Sequence, residues 1–328
     1  MLKPIIKVSL IIPWHHTFLY DRTPGGSGCF ETENFTVKYR VNEVQLPGDV
    51  TVVWGGIPDN IVSLKVCAKP GCFLYLTEEA HPYRRYNQDF LMQFDEIFTC
   101  RDETLHPKQT RIHELNTWHM GISLDEACSE RVIPKTKLLS IVCSDLTQLP
   151  GQKKRYAFAN KLFGHFKDRI DFYGTGFKPV KDKWEALADY KYSIAIENSR
   201  IPGYFTEKLS ECYLAHCLPV YWGAPDILEY FDEQALIVID IDDFEAAVNR
   251  IEKLLTEDPY EKLLPEIIAA KKKFLDQYHI FPVLNRLIVE CYSESAQSRT
   301  STRKIRSEKT FVPGYQLKQF KTWVGKKL

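Results

Sequence analysis

Much of what would assign this 328-residue chain at a glance is missing. Its formal net charge is zero, so no global field draws it to nucleic acid or anionic lipid. No apolar run approaches the ~20 residues that span a bilayer. The start shows no secretory signal before a strand-like run at 5–12, and the expectation is a cytoplasmic chain with reduced thiols. Its nine cysteines are scattered. Cys67 and Cys72, in CAKPGC, lack zinc-pair spacing, and no second pair follows at a matching interval. His113 and His119 stand six apart, off a common helical face and without an acidic third ligand, and read as packing or surface residues. No metal is expected as a requirement, with a divalent ion at most stimulatory. The glycine-rich stretch 23–28 (TPGGSG) is not GxGxxG and opens no clear helix. It reads as a turn, or as a place where an acceptor meets the backbone closely.

What is present is an ordinary soluble composition, 44% hydrophobic and 26% charged, with ample material for a core. The length favours two domains. Apolar runs at 5–12, 49–54, 73–76 and 94–99 predict buried strands. The run 73–76 leads into Thr77-Glu78-Glu79, which presents two carboxylates at a strand's carboxyl end. They are candidates for a general base, or acids that open a helix. A linker at 133–135 separates a second series: a strand at 137–143, a helix at 152–166 with Tyr156, Ala159, Phe163 and Phe166 at helical spacing, and a strand at 170–172. Lys153, Lys154 and Arg155 open that helix, where cations oppose the helix dipole. They form either a clamp for an anion such as a diphosphate or a solvated basic turn.

Residues 190–223 (YKYSIAIENSRIPGYFTEKLSECYLAHCLPVYWG) read as strand, loop, helix, strand. This is a βαβ unit with its polar residues at the carboxyl end of the first strand, the edge where open parallel sheets bind ligands. A strand at 235–239 and helices at 244–255 and 265–278 complete a Rossmann-like half. Asp240-Ile241-Asp242 has the form of a metal-binding DxD, but Asp242 or Asp243 is placed to cap the next helix, and capping is the favoured reading. The end of the chain, 298–328, holds nine Lys/Arg and one acid, Glu308. Its aromatics Phe311, Tyr315, Phe320 and Trp323 alternate with lysines. Docking on the body, contact with an anionic membrane, and a flexible end all fit that pattern.

Residues 190–223 resemble the signature of the family 10 α-1,3/4-fucosyltransferases. The matching elements are Tyr190-Lys191-Tyr192, Glu197-Asn198-Ser199, Tyr204-Phe205-Thr206-Glu207-Lys208 and Leu218-Pro219-Val220-Tyr221-Trp222-Gly223. A weaker likeness extends back to Leu138, through Cys143-Ser144 and Lys154-Arg155, and forward to about Asp242. The resemblance implies an α/β chain with two Rossmann-like domains facing a cleft (GT-B): an acceptor domain at 1–134, a nucleotide-sugar domain at 135–292, and a basic aromatic tail at 293–328. It implies an inverting fucosyltransferase of bacterial type, with GDP-fucose as donor and a glycan hydroxyl, O3 of a GlcNAc or Glc residue, as acceptor. Alternatives are a transferase for a related GDP-deoxysugar and a non-catalytic nucleotide-sugar or glycan-binding protein. Arg155, Asn198, Tyr204, Glu207 and Lys208 correspond to donor-binding residues, and Glu79, with Glu78 as its rival, to the catalytic base. The implied setting is cytoplasmic, peripheral at the inner face of the membrane through the tail, building lipopolysaccharide or another surface glycan.

Overall fold

The computed structural model describes residues 3–14, 17–43, 47–79, 84–103 and 105–312. They divide into two compact units. The first gathers the described residues of 3–79, 84–112 and 283–312, and the second is 113–282.

The first unit is built on a seven-stranded sheet. Its strands are β1 (Ile5–Ile11), β2 (Cys29–Glu31), β3 (Thr36–Val41), β4 (Val50–Trp54), β6 (Phe73–Leu76), β7 (Glu96–Thr99) and β8 (Gln109–Arg111). The order is β2-β3-β1-β4-β6-β7-β8, and every pair except β2–β3 is parallel. Residues of β4 and β6 are buried throughout. That is why the sequence shows unbroken apolar runs there rather than alternation. β3 (TVKYRV) is no unbroken apolar run; its strand signal is the alternation of buried and more exposed positions. A further strand, β5 (Ser63–Ala68), lies outside this sheet and pairs antiparallel with β14 (Ser301–Arg306).

The second unit is built on β9 (Lys137–Val142), β10 (Asp171–Tyr173), β11 (Tyr190–Ile196), β12 (Leu218–Trp222) and β13 (Ile237–Val238), in the order β10-β9-β11-β12-β13, all parallel. The predicted βαβ unit is present: β11, the helix Glu207–Leu214, then β12. Pro219 is tolerated inside this sheet because β13 joins only from Val220 onward, so the missing N–H meets no neighbour on that side.

Several expectations are corrected. The units change at 112/113 and 282/283, not at 134/135 and 292/293. The first shift arises because segment 113–120 is stitched into the second unit. There Glu114 N–H donates to Gly203 O (2.8 Å), Asn116 Nδ2 donates to Phe205 O (3.2 Å), and Trp118 is fully buried. The second arises because the chain rejoins the first unit within the helix Ile280–Glu294 and then forms β14. Residues 301–312 are therefore a docked strand and turn rather than a free tail. Tyr315, Phe320 and Trp323, on which the membrane expectation rests, lie outside the described residues. The strand expected at 235–239 shrinks to Ile237–Val238. The last helix expected from 265 begins at Tyr260, leaving Pro265 inside it. Tyr260 is buried, and its hydroxyl donates to His216 O at 2.8 Å, which anchors the turn ahead of the proline. No helix among the described residues is long and apolar enough to cross a membrane.

Candidate active site

In each sheet the strand order reverses between two neighbours, and the crevice at their carboxyl ends is where open α/β sheets bind ligands. In the second unit the reversal lies between β9 and β11. β9 delivers Ser144 there, and β11 delivers Glu197 and Asn198. Arg155 reaches both loops from the second turn of the helix Pro150–Phe166. Its Nη2 donates to Ser144 Oγ (2.7 Å) and its Nη1 to Asn198 Oδ1. The residue is only 6% exposed, and its Nε has no hydrogen-bond partner among the described residues. The three cations expected together at this helix start part company. Lys153 is exposed. Lys154 pairs with Asp242 and lies 4.8 Å above the Trp222 ring. Only Arg155 turns into the crevice.

Below Arg155 the charges are paired. Glu197 is fully buried and accepts from Thr206 N–H (2.7 Å), Thr206 Oγ1 (2.8 Å) and Lys208 Nζ (3.3 Å). A Cβ on Gly223 would sit 2.5 Å from Glu197 Cγ and 2.1 Å from Tyr221 Oη, so only glycine lets β12 turn this close to the carboxylate. Lys208 Nζ also stands 3.3 Å from Glu207 Oε1. Lys183 Nζ lies 3.4 Å from Glu207 Oε1 and 2.8 Å from Glu211 Oε2. Burial pushes the Glu207 carboxyl up, but Lys208, Lys183 and His119 outweigh it and hold the group well below the usual range. Burial likewise lowers Lys183, and Glu211 with Glu207 more than restores it, so the ammonium stays charged. Glu197 moves the other way: burial dominates over Lys208 and raises its pKa. Ser144, Arg155, Thr175, Lys183, Glu207 and Lys208 line one cavity of about 280 Å³.

Of the five donor residues expected in this unit, Arg155, Glu207 and Lys208 line that cavity, and Asn198 binds Arg155. Tyr204 is 1% exposed and does not line it. Sequence reasoning missed Lys183, Glu211 and the part played by 113–120. His119 N–H donates to Glu211 Oε1 (2.6 Å), and His113 stacks on Phe205 at 5.0 Å, the packing role expected of it. Lys183 sits in a short 3-10 turn that no periodicity announces. Asp243, just past the D-I-D triplet, caps the next helix by accepting from Ala246 N–H at 3.0 Å, while Asp242 of the triplet pairs with Lys154. Among the described residues no group of three or more His, Cys, Asp or Glu side chains is arranged to hold a metal ion.

In the first unit the reversal lies between β1 and β4. Trp14 follows β1 and packs edge-on against Trp54 at 4.9 Å. Gly55 follows β4 with φ +73°, and a Cβ there would meet Glu78 Oε2 at 2.4 Å and Trp14 at 2.9 Å. Glu78, two residues past β6, thus rests its carboxylate on the Gly55 backbone. Glu78 and Glu79 are themselves not helical, and the residues 80–83 that follow lie outside the described ones. The Glu78 backbone is held from both sides, its N–H donating to Tyr86 Oη (2.7 Å) and its C=O accepting from it (2.5 Å). Burial pushes the Glu78 carboxyl up, Arg84 draws it back and Glu79 adds to the rise; the balance lies at about 7. Among the described residues Arg84 is the nearest cation, with Nη1 3.8 Å from Glu78 Oε2. Glu79 adopts a left-handed backbone with φ +60° and is half-buried.

The profile of glycosyltransferase family 10 (fucosyltransferase), C-terminal part, matches residues 132–263. An α-(1,3)-fucosyltransferase of Helicobacter pylori is 37% identical over 78 residues, which are 24% of this chain and 16% of that protein. The match therefore spans about a sixth of the relative's length. A crystal structure of an α1,3-fucosyltransferase with GDP superimposes with a TM-score of 0.50 at 20% identity, covering 85% of this chain and 94% of that one. An α-glucosyltransferase solved with UDP and a 13-mer DNA gives 0.50 at 12% identity, covering 87% and 100%. At such identities the structural likeness speaks for fold alone, and the fold is that of the GT-B glycosyltransferases, with Rossmann-like parallel sheets. The 132–263 segment, which holds β9–β13, Arg155 and the Glu197–Lys208 network, is the part of the chain that is similar to the C-terminal part of glycosyltransferase family 10 (fucosyltransferase).

Proposed function

We propose that this chain transfers L-fucose from GDP-fucose to a glycan hydroxyl, O3 of a GlcNAc or Glc residue, with inversion at the anomeric carbon. The observation that carries the reading is the Arg155 fork. It is buried at the β9/β11 switch point, anchored to Ser144 and Asn198, and part of a segment matching the fucosyltransferase family. A guanidinium held this way presents fixed N–H donors to a diphosphate. In the reaction the bond between the sugar's anomeric carbon and the phosphate oxygen breaks, and GDP leaves with the electron pair. Negative charge grows on the diphosphate, where a single preorganised donor is worth ~3–4 kcal/mol. The acceptor oxygen attacks from the opposite face and gives its proton to a carboxylate.

We assign that base to Glu78 rather than Glu79. A base works best with a pKa near the working pH, and burial holds Glu78 at about 7. Glu207, held anionic by Lys208 and Lys183, suits a donor hydroxyl instead. The test is an array of Galβ1,4GlcNAc-type and other glycans incubated with GDP-fucose. GDP release and glycan mass are followed, and the new linkage is read by NMR. Acceptor-dependent release with an α-fucosidic product is expected. GDP-fucose left intact with every acceptor, or a β-linked product, defeats the proposal.

A further inference from the structure

The C-terminal strand β14 and the turn after it converge on the residues that surround Glu78. β14 pairs with β5 over six residues, from Ser301↔Ala68 to Arg306↔Ser63. It is fixed on both sides. Arg303 pairs with Asp95 at 2.6 Å and lies 4.1 Å above the Phe73 ring, and Ile305 is buried. Gln93 exchanges two hydrogen bonds with the Arg306 backbone (3.0 and 2.8 Å). Arg306 in turn covers the Phe311 ring at 4.4 Å, and Phe311 contacts Phe90. These contacts leave Glu308 in one place. Its Oε1 accepts from Asn87 N–H at 2.7 Å, and its Oε2 pairs with Arg84 Nη2 at 3.2 Å. The other terminal nitrogen of the same guanidinium, Nη1, stands 3.8 Å from Glu78 Oε2. The Arg84 plane also lies 4.9 Å from the Tyr86 ring, whose hydroxyl pins the Glu78 backbone, and Arg101 covers Tyr86 at 5.1 Å while donating to Arg84 O at 2.9 Å.

We propose that this C-terminal strap is part of the catalytic apparatus: Glu308 is a positioning residue that holds Arg84, and through Arg84 it sets the basicity of the Glu78 carboxylate. The proposal rests on the assignment of Glu78 as base. Its physical content is a shared cation. Arg84 stands between two carboxylates, and the closer one, Glu308, takes the larger share of its charge. With Glu308 neutralised, Arg84 acts on Glu78 alone and one like charge disappears from the neighbourhood, and both changes favour the Glu78 anion. Among the described residues the titratable or charged groups around Glu78 are Arg84, Glu79, Tyr86, Tyr75 and Glu308, and of these the Arg84–Glu308 pair ties the strap to it. Glu308 is the sole acid in a stretch otherwise rich in lysine and arginine, which the strap itself does not need for pairing with β5.

The experiment compares the full-length wild type with Glu308→Gln, Arg84→Gln and the double variant. Glutamine keeps the oxygen that Asn87 N–H bonds and removes only the charge. The Glu78 carboxyl is titrated directly by ¹³C NMR, using Glu78→Gln to identify its signal, and kcat/KM is recorded against pH. Thermal melts establish that each variant is folded. Glu308→Gln is expected to lower the Glu78 midpoint, and with it the acid limb, by about half a pH unit to one unit, the low end of what a nearby charge does. Arg84→Gln is expected to raise it, and adding Glu308→Gln to Arg84→Gln is expected to cut the Glu308 effect to less than half. An unmoved midpoint in folded Glu308→Gln overturns the strap proposal while leaving the base assignment intact. Full transfer activity in Glu78→Gln removes the base assignment, and the strap's catalytic role falls with it, even where the titration moves. If the variants unfold, chain semisynthesis with a neutral Glu308 ester replaces them, and the same midpoint decides.

Discussion

The two sheet edges solve opposite electrostatic problems. In the second unit the charges at the switch point come in near-balance: Arg155, Lys183 and Lys208 against Glu197, Glu207 and Glu211. Lys183 bridges Glu207 and Glu211, Lys208 bridges Glu197 and Glu207, and the two lysines help hold the Glu207 carboxyl well below the usual range, so the network is a fixed, polar cradle. In the first unit Glu78 stands against Gly55 and Trp14, with its nearest cation at 3.8 Å and already engaged by Glu308. Partial burial without a committed partner lifts a carboxyl toward neutrality, whereas close cations depress one. A cradle that binds a diphosphate needs permanent charges; a group that accepts and releases a proton needs a pKa near the working pH. The same residue type, glutamate, is given both properties by surroundings alone.

The sharpest break in this comparison is Glu78→Gln. It is expected to cost roughly 10²–10⁴-fold in kcat, with GDP affinity by calorimetry unchanged. Glu79→Gln in the same assay is expected to lose less than tenfold, and the reverse ranking would move the base to Glu79. Next comes Arg155→Lys. Lysine keeps the charge but cannot bond Ser144 and Asn198 at once, so kcat with GDP-fucose should fall by about 10²-fold. A wild-type rate in Arg155→Lys would mean that charge alone suffices and the fork is incidental. Lys208→Ala is a blunter probe of the same cradle. It strips the cation from fully buried Glu197 and carries a stability loss of roughly 3–5 kcal/mol besides any loss of GDP affinity, so melting must be measured alongside binding.

Gly55→Ala sharpens the other half. The new methyl would meet Glu78 Oε2 and requires a backbone at φ +73°, so the variant should melt lower by more than ~1 kcal/mol and lose activity about tenfold as the carboxylate is displaced. The smallest effect is a pH dependence with a definite sign. The base works as its anion, so kcat/KM should rise with pH through about 7. Stability runs the other way for this group. Its folded pKa is raised, so its contribution is fully present below the unfolded value near 4.5 and is lost as pH rises through about 7. A kcat/KM profile flat from pH 5 to 8 would separate Glu78 from the rate.

Much of the second unit was legible in the chain itself. Its central strands are buried on both faces, so their apolar runs stand out, and the polar residues that follow them mark the binding edge. Arg155, Asn198, Glu207 and Lys208 were singled out through the resemblance to the fucosyltransferase signature, whose motifs lie around those runs. Lys183, Glu211 and the contribution of His119 were not, because each enters through contacts between segments distant in sequence. His119 and Glu211 are 92 residues apart, and Lys183 and Glu207 are 24 apart. In the first unit the pair Glu78-Glu79 was visible, but not which carboxylate rests against Gly55 and faces Arg84. That choice depends on the turn at Gly55, on Trp14 and on Arg84, none of which adjoins the pair in the chain.

The amino-acid sequence by itself determined where the central buried strands lie and which of their ends carry polar groups, because burial on both faces demands apolar runs and binding demands polar residues just beyond them. Tertiary structure alone decided the pairing of charges, the unit boundaries, and the return of β14 to the first sheet's neighbourhood. Desolvation and Coulomb interactions depend on distances across space, and the sequence gives only distances along the chain.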